Sequence, residues 1–418
     1  MIEVDIVQRK VVRKLVSAQI LGGIGLGATV SVGALLAADV SGSAAWSGMA
    51  ATMSTLGAAL LAVPLARAAQ ARGRRVALAA GSILGALGAL LAVGAAAIGV
   101  FPLLLVALAL AGASSATNLQ ARFAATDLAD PAHRARQLSV VVWSTTLGAV
   151  LGPNLIGPGE LIGGAVGLPT LTGPFVFTVS AQLLAMVVYF VGLRPDPLLT
   201  AIERAPAASG IPPKHGFATL RVNAGARYAV AAVALSHATM VAMMSMTPVH
   251  LYEHGATLEI VGLTISLHIA GMYALSPVFG WAADRWGRIP VILGGQALLL
   301  VSLVVAWVRS DSDVWVAVSL ILLGLGWSAS TIAGSTLVAE SAPVDDRAGL
   351  QGVSDLLMNA TAAVGGALAG PVLALLGYAG LGVACMTLVA LVIGWTIARQ
   401  RALRRNLGSQ RARTLPTR

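Results

Sequence analysis

The sequence predicts an all-α integral membrane protein: twelve membrane-crossing helices in two pseudo-symmetric six-helix bundles, with both termini cytoplasmic. Three observations carry this. Of the 418 residues 57% are hydrophobic and only 11% charged, with a mean hydropathy of +0.84, whereas soluble domains carry about a quarter charged residues. A single threading places all of the 27 Lys and Arg residues except Arg309 on one side, and cytoplasmic loops are the ones that collect such residues. Polar landmarks also recur: Asp127 is followed seven residues later by Arg134 and eighteen further by Gly152, and Glu340, Arg347 and Gly365 repeat those intervals.

A helix needs about 20 apolar residues to cross the hydrocarbon layer. Such runs fall at 15–37, 45–65, 76–98, 102–122, 137–157 and 173–193, then at 227–250, 258–281, 290–308, 314–338, 350–373 and 376–398. Ala, Leu, Val and Gly dominate them, which suits close helix packing in lipid. Leu36-Ala37-Ala38-Asp39 has the look of a signal-peptide cleavage site, but the run before it exceeds the usual ~7–15 residues, so it reads as an uncleaved first helix. The chain therefore divides into an N-terminal bundle (1–193), a cytoplasmic linker (194–226), a C-terminal bundle (227–398) and a basic tail (399–418). The linker, with Pro195, Pro197, Pro206, Pro212 and Pro213 and no sustained apolar face, reads as a tether.

Arg9, Lys10, Arg13 and Lys14 precede the first span, and Arg67, Arg72, Arg74 and Arg75 fill the second connection. The connections around Gly99, Glu160, Glu253 and Gly380 hold no Lys or Arg. A net charge of +10 distributed in short clusters between apolar runs points to anionic lipids, at the tail above all, and away from nucleic acid. The single cysteine, Cys385, excludes an intramolecular disulfide and a cysteine metal site. No H-E-x-x-H, G-x-S-x-G or P-loop pattern occurs, so an enzyme is not expected. His250, Tyr252, Glu253, His254 and Glu259 are spaced too irregularly for a zinc site. No metal or cofactor is expected.

Gly280-Trp281-Ala282-Ala283-Asp284-Arg285-Trp286-Gly287-Arg288 joins the eighth and ninth spans. Gly287 suits a tight turn, and Asp284 suits a helix N-terminus across the interface between halves. This segment resembles the G-x-x-x-D-R-x-G-R loop motif of the major facilitator superfamily, and the likeness extends over essentially the whole chain. It implies a secondary transporter in which Gly280, Asp284, Arg285, Gly287 and Arg288 act as a cytoplasmic latch favouring the outward-facing state. The equivalent loop after the second span keeps Gly73 and Arg74 but has Gln70 where the family has Asp. Gly148, Gly152, Pro153 and Gly157 resemble the G-x-x-x-G-P motif of the superfamily's proton-coupled antiporters, although plain helix packing by small residues also accounts for them. The antiporters' fourth-span Arg is absent, Leu108 standing in its place.

Ionisable groups at membrane depth usually mark function. His237 stands ten residues into the seventh span, ~15 Å deep, followed by Met240 and Met244, and His268 lies midway along the eighth. Each is either a proton or substrate site or a hydrogen-bonded packing residue. Asp39 is an outer proton acceptor or a solvated loop acid. Asn118, Gln120 and Arg122 either line a cavity or, for Arg122, snorkel to the interface. Asp355 suits the N-terminal dipole of its own helix. Asp127, Arg134, Glu340 and Arg347 form a repeated charge relay. The expected function is proton-coupled export of small hydrophobic neutral or cationic compounds, with protonation at His237 or Asp39. Import of a polar nutrient is the alternative, and a non-transporting receptor the remote one. A monomer is expected. The excess of Arg over Lys, 24 to 3, points to a GC-rich bacterium and its plasma membrane.

Overall fold

The computed structural model describes the backbone of residues 2–43, 46, 48–204 and 216–413; side chains of 1–5, 30–31, 149–150, 152–154, 258–259 and 402–413 are not described. The N-terminal half comprises α1 (Ile2–Ser41), α2 (Met49–Arg72), α3 (Arg74–Ala97), α4 (Phe101–Ala111), α5 (Ala113–Ala124), α6 (Arg134–Asn154), α7 (Ile156–Ala165) and α8 (Pro174–Gly192). After α9 (Pro197–Arg204) and α10 (Gly216–Val222), the second half comprises α11 (Ala224–Glu253), α12 (Leu258–Tyr273), α13 (Ser276–Trp286), α14 (Arg288–Val308), α15 (Asp313–Glu340) and α16 (Val344–Arg413).

Three spans are broken into paired helices. The fourth is interrupted at Gly112, where a Cβ would lie 2.8 Å from the backbone nitrogen of Ala58 on α2, so glycine permits the crossing there. The eighth breaks ahead of Pro277, which has no N–H to continue the ladder. The fifth breaks at Leu155, just beyond Pro153. Gly377 (φ 69°, ψ −179°) turns α16 between the eleventh and twelfth spans.

Within the first half α1 packs on α6 and α8, and α3 on α4 and α8; within the second, α11 packs on α16, and α15 on α12 and α14. The halves meet where α2 lies along α16 and where α13 lies along α6. Small residues set both crossings: Gly352 faces Ala66 and the carbonyl of Ala62, and Gly280 faces Ser139 and the carbonyl of Ala135. All of these residues lie toward the ends carrying the basic loops, so that end of the molecule is closed.

The linker departs from the expected tether. Leu198 of α9 is buried with Ala69 and Ala77 of the first half and Ala348 of the second, so this short helix packs across both. Asp196 accepts hydrogen bonds from the amides of Leu198 (3.0 Å) and Leu199 (3.2 Å), capping α9, and from the amide of Arg75 (2.8 Å) in the first turn of α3. Residues 205–215 lie outside the described backbone.

Candidate functional site

Two one-residue connections organise the closed end. Gly73 (φ 87°, ψ 167°) joins α2 to α3 and Gly287 (φ 92°, ψ 162°) joins α13 to α14, a conformation open to glycine alone. Each places the following arginine against an acid at the end of the fourth or tenth span. Arg74 Nε meets Asp127 Oδ2 at 2.8 Å and Nη2 meets Oδ1 at 3.3 Å, with both side chains fully buried. Arg288 Nη2 meets Glu340 Oε1 at 2.8 Å. Asp127 thus pairs directly with Arg74 and Glu340 with Arg288, because the turns bring the starts of α3 and α14 to these acids. Arg347 lies within electrostatic reach of Asp127, Arg134 and Arg74 of the first half and of Glu340 of its own, so Asp127, Arg134 and Glu340 all act on it.

Asp284 is held in contacts that cross between the halves. Asp284 accepts from the amides of Ala135 (3.1 Å) and Arg136 (2.9 Å), in the first turn of α6, where backbone N–H groups have no partner within the helix. Arg288 braces it, donating to Asp284 Oδ1 at 2.8 Å and, across the interface, to the carbonyl of Pro131 at 2.9 Å. Arg285 is exposed.

Gln70 occupies the equivalent place opposite α16, but the helix there is differently aligned. By the repeat, Ala348 and Gly349 correspond to Ala135 and Arg136. Because α16 begins at Val344, residues 348 and 349 lie beyond its four orphan N–H groups. A carboxylate at position 70 would find no free backbone amide there and would meet the backbone carbonyl of Asp345, in an acidic first turn. Gln70 Nε2 donates instead to the carbonyl of Asp345 at 3.0 Å, so the departure from Asp matches the partner.

Deeper between the halves lies a group that the sequence suggested only in pieces. Arg122 Nη2 of α5 donates to Asp355 Oδ1 of α16 at 2.7 Å, with 3% and 0% of the side chains exposed. Asp355 is eleven residues beyond Val344, ~16 Å along the helix, and thus does not serve its N-terminus. Arg122 does not snorkel. Tyr273, at the end of α12, is within electrostatic reach of Arg122. Its ring meets Trp327 of α15 edge-on at 5.8 Å, and Trp327 Nε1 donates to His237 Nδ1 at 2.8 Å. That bond makes Nδ1 an acceptor and places the ring proton of neutral His237 on Nε2. A line of side chains thus runs from the ion pair into the second half. It offers a fixed carboxylate, a fixed guanidinium and an aromatic wall.

Other predicted residues lie elsewhere. Gln120 donates to the carbonyl of Ala62 at 2.9 Å, tying the fourth span to the second. Asn118 is buried beside Gly22, and Gln19 bonds Thr145 at 2.9 Å nearby. His268 bonds the carbonyl of Leu320 at 2.7 Å, between the eighth and tenth spans. Met240 is packed in the second half's core and Met244 borders it. Asp39 is exposed at the end of α1. Gly148 lies against Gly23 of α1, but a Cβ at Gly157 would meet nothing within 4 Å, so close packing does not account for that glycine. The surroundings of Gly152 and Pro153 fall outside what is described. His250 stacks on Tyr378 at 4.2 Å and bonds the carbonyl of Ser310; no metal-competent cluster occurs among the described residues.

The model of the Major Facilitator Superfamily matches residues 15–255 and 228–418. The chain belongs to the major facilitator superfamily. This facilitator is 39% identical over 391 residues to the uncharacterized MFS-type transporter YdeG of Bacillus subtilis (strain 168), covering 91% of this chain and 90% of that one. It is 28% identical over 385 residues to the riboflavin transporter RfnT of Brucella anthropi, covering 91% and 93%. Its fold matches the crystal structure of a bacterial homologue of the iron transporter ferroportin in the outward-facing state, with a TM-score of 0.71 at 16% identity, over 93% of this chain and 98% of that one. It is a multi-pass membrane transporter.

Proposed function

We propose that this facilitator is a proton-coupled exporter of small, largely apolar, neutral or cationic compounds, in a bacterial plasma membrane with its basic loops and termini cytoplasmic, and that Asp355 is its proton-accepting group. The observation that carries this reading is the Arg122–Asp355 pair, which joins the two halves while Asp355 Oδ2 remains buried without a hydrogen-bond partner among the described residues. An ionised Asp355 holds α16 to α5 and keeps the cytoplasmic end closed. A proton arriving from the outer side removes the charge, the attraction to Arg122 falls, and the halves separate at the cytoplasmic end. A compound entering there displaces the proton, the pair re-forms and the site faces outward again.

The aromatic wall of Tyr273, Trp327 and His237 suits planar apolar compounds. A cation gains further from the Asp355 carboxylate, which repels an anion. Asp39 and His237, the protonation sites that the sequence suggests, fit less well: Asp39 is remote from the pair, and His237 Nδ1 is occupied by Trp327. A second reading, uptake of a heteroaromatic nutrient with a proton, is favoured by the likeness to a riboflavin transporter.

Lumenal pH in proteoliposomes under an imposed gradient, with lipophilic cations, neutral aromatics and riboflavin in the panel, distinguishes these. Export predicts that substrate drives protons in the opposite direction, that binding releases a proton, and that Asp355→Asn binds without coupling. Movement of protons with the compound supports uptake. If Asp355→Asn couples like the unmodified protein, the assignment of Asp355 fails.

A further inference from the structure

We propose that a crevice between α10, α11 and α16 is a binding site for an anionic phospholipid from the leaflet at the basic end. The crevice has a volume of about 430 Å³, and Phe217, Leu220, Leu235 and Leu357 give it apolar walls. Its mouth carries Arg221 and Arg227. Arg399 stands outside the crevice lining, beside the start of α11, its guanidinium 5.1 Å over the Tyr228 ring and close to Gly225. Among the described residues none of these three arginines pairs with a carboxylate. Arg227 Nη1 donates to the carbonyls of Leu220 (3.1 Å) and Arg221 (2.7 Å), which anchors α10 beside α11 and leaves the remaining guanidinium nitrogens for a ligand.

An apolar slot with an acid-free arginine mouth, at the end of membrane-crossing helices, matches a ligand with a phosphate head and an acyl chain. Arginine binds phosphate oxygens through its planar fork. From Arg227 to Leu235 the slot extends eight residues along α11, ~12 Å, a depth that an acyl chain fills from the bilayer. The surroundings connect this slot to the gate. Leu357 is next to Met358, whose sulfur lies 3.9 Å from Arg122, and Thr361 donates to the carbonyl of Ala234 at 3.1 Å across the floor. At its other end α10 places Gly216 against the Gly349 backbone, and Gly349 faces Gln70 of α2. A lipid held here clamps α10 onto α16 and so favours the closed cytoplasmic end.

Native mass spectrometry of the full chain in detergent, with phosphatidylglycerol and phosphatidylcholine of equal chain length, tests this without any transported compound. The expected result is preferential retention of phosphatidylglycerol, weakened about fivefold by Arg221→Gln, as each basic residue near an anionic surface contributes. Ala231→Phe, which fills the slot but keeps every arginine, should abolish the preference. Thermal melting of each variant checks that it folds. Equal retention of the two lipids, or a phosphatidylglycerol preference unchanged in Ala231→Phe, overturns the site. A protein dimer that Ala231→Phe disperses, without lipid adducts, assigns the crevice to a second copy and overturns it as well.

Discussion

Asp355 and Arg122 have one property that separates a structural from a coupling role. Removing one partner of a buried pair leaves an uncompensated charge, at about 3–5 kcal/mol, whereas replacing both with apolar residues of similar volume is often neutral or stabilising. Asp355→Asn should therefore lower the melting temperature, and Arg122→Met with Asp355→Leu should restore it while abolishing proton-coupled transport. Recovery of transport in the double variant would make the pair a packing device. Neither residue was legible as a partner of the other. Each sits near a helix end in sequence, where snorkelling or a dipole explains a charge, and only the contact of the fourth and eleventh spans, 233 residues apart, joins them. Asp127, Arg74, Glu340 and Arg288 were all legible as special, but their pairing was not, since it depends on the turns at Gly73 and Gly287.

At the scale of elements, the two contacts between halves at Asp284 and Gln70 follow one plan with opposite polarity. Asp284 uses the free amides of α6; Gln70 uses a carbonyl of α16, because that helix starts earlier. Asp284→Asn should weaken its latch by about 1.5–3 kcal/mol, the worth of hydrogen bonds to a charged group, and shift the protein toward the cytoplasm-open form. Gln70→Asp should shift it the same way despite restoring the family's residue, because the carboxylate loses the bond to the Asp345 carbonyl and meets that oxygen's partial charge. Accessibility of a cysteine at Ala62, in a Cys385→Ser background, measures both shifts; an unchanged or lower labelling rate for Gln70→Asp would refute the alignment argument. The Asp284 contact was readable in the loop motif, whereas the role of Gln70 needed the starting residue of α16. The packing of α9 was hidden by its brevity, since Leu198 and Ile202 make only one apolar turn among prolines and charges.

For the whole molecule, the architecture was the most legible part. Twelve apolar runs, the one-sided arginines and the repeated intervals all report the same constraint, that backbone polar groups in lipid must be satisfied within helices. Which end is closed was not readable, because it depends on contacts between halves along α2–α16 and α6–α13. The closed end contains the only cross-half ion pair among the described residues, Arg122–Asp355, so its protonation should set the balance between the two global states. The charge-free form of Asp355 favours separation, so falling pH should open the end that carries the basic loops. The most direct measurement is the distance between spin labels at Ala132 and Pro343, on the two halves at the closed end, as a function of pH. The account predicts that this distance lengthens as pH falls in the unmodified protein and is already long, and indifferent to pH, in Asp355→Asn. A short distance in Asp355→Asn, or a pH response equal to that of the unmodified protein, would contradict it.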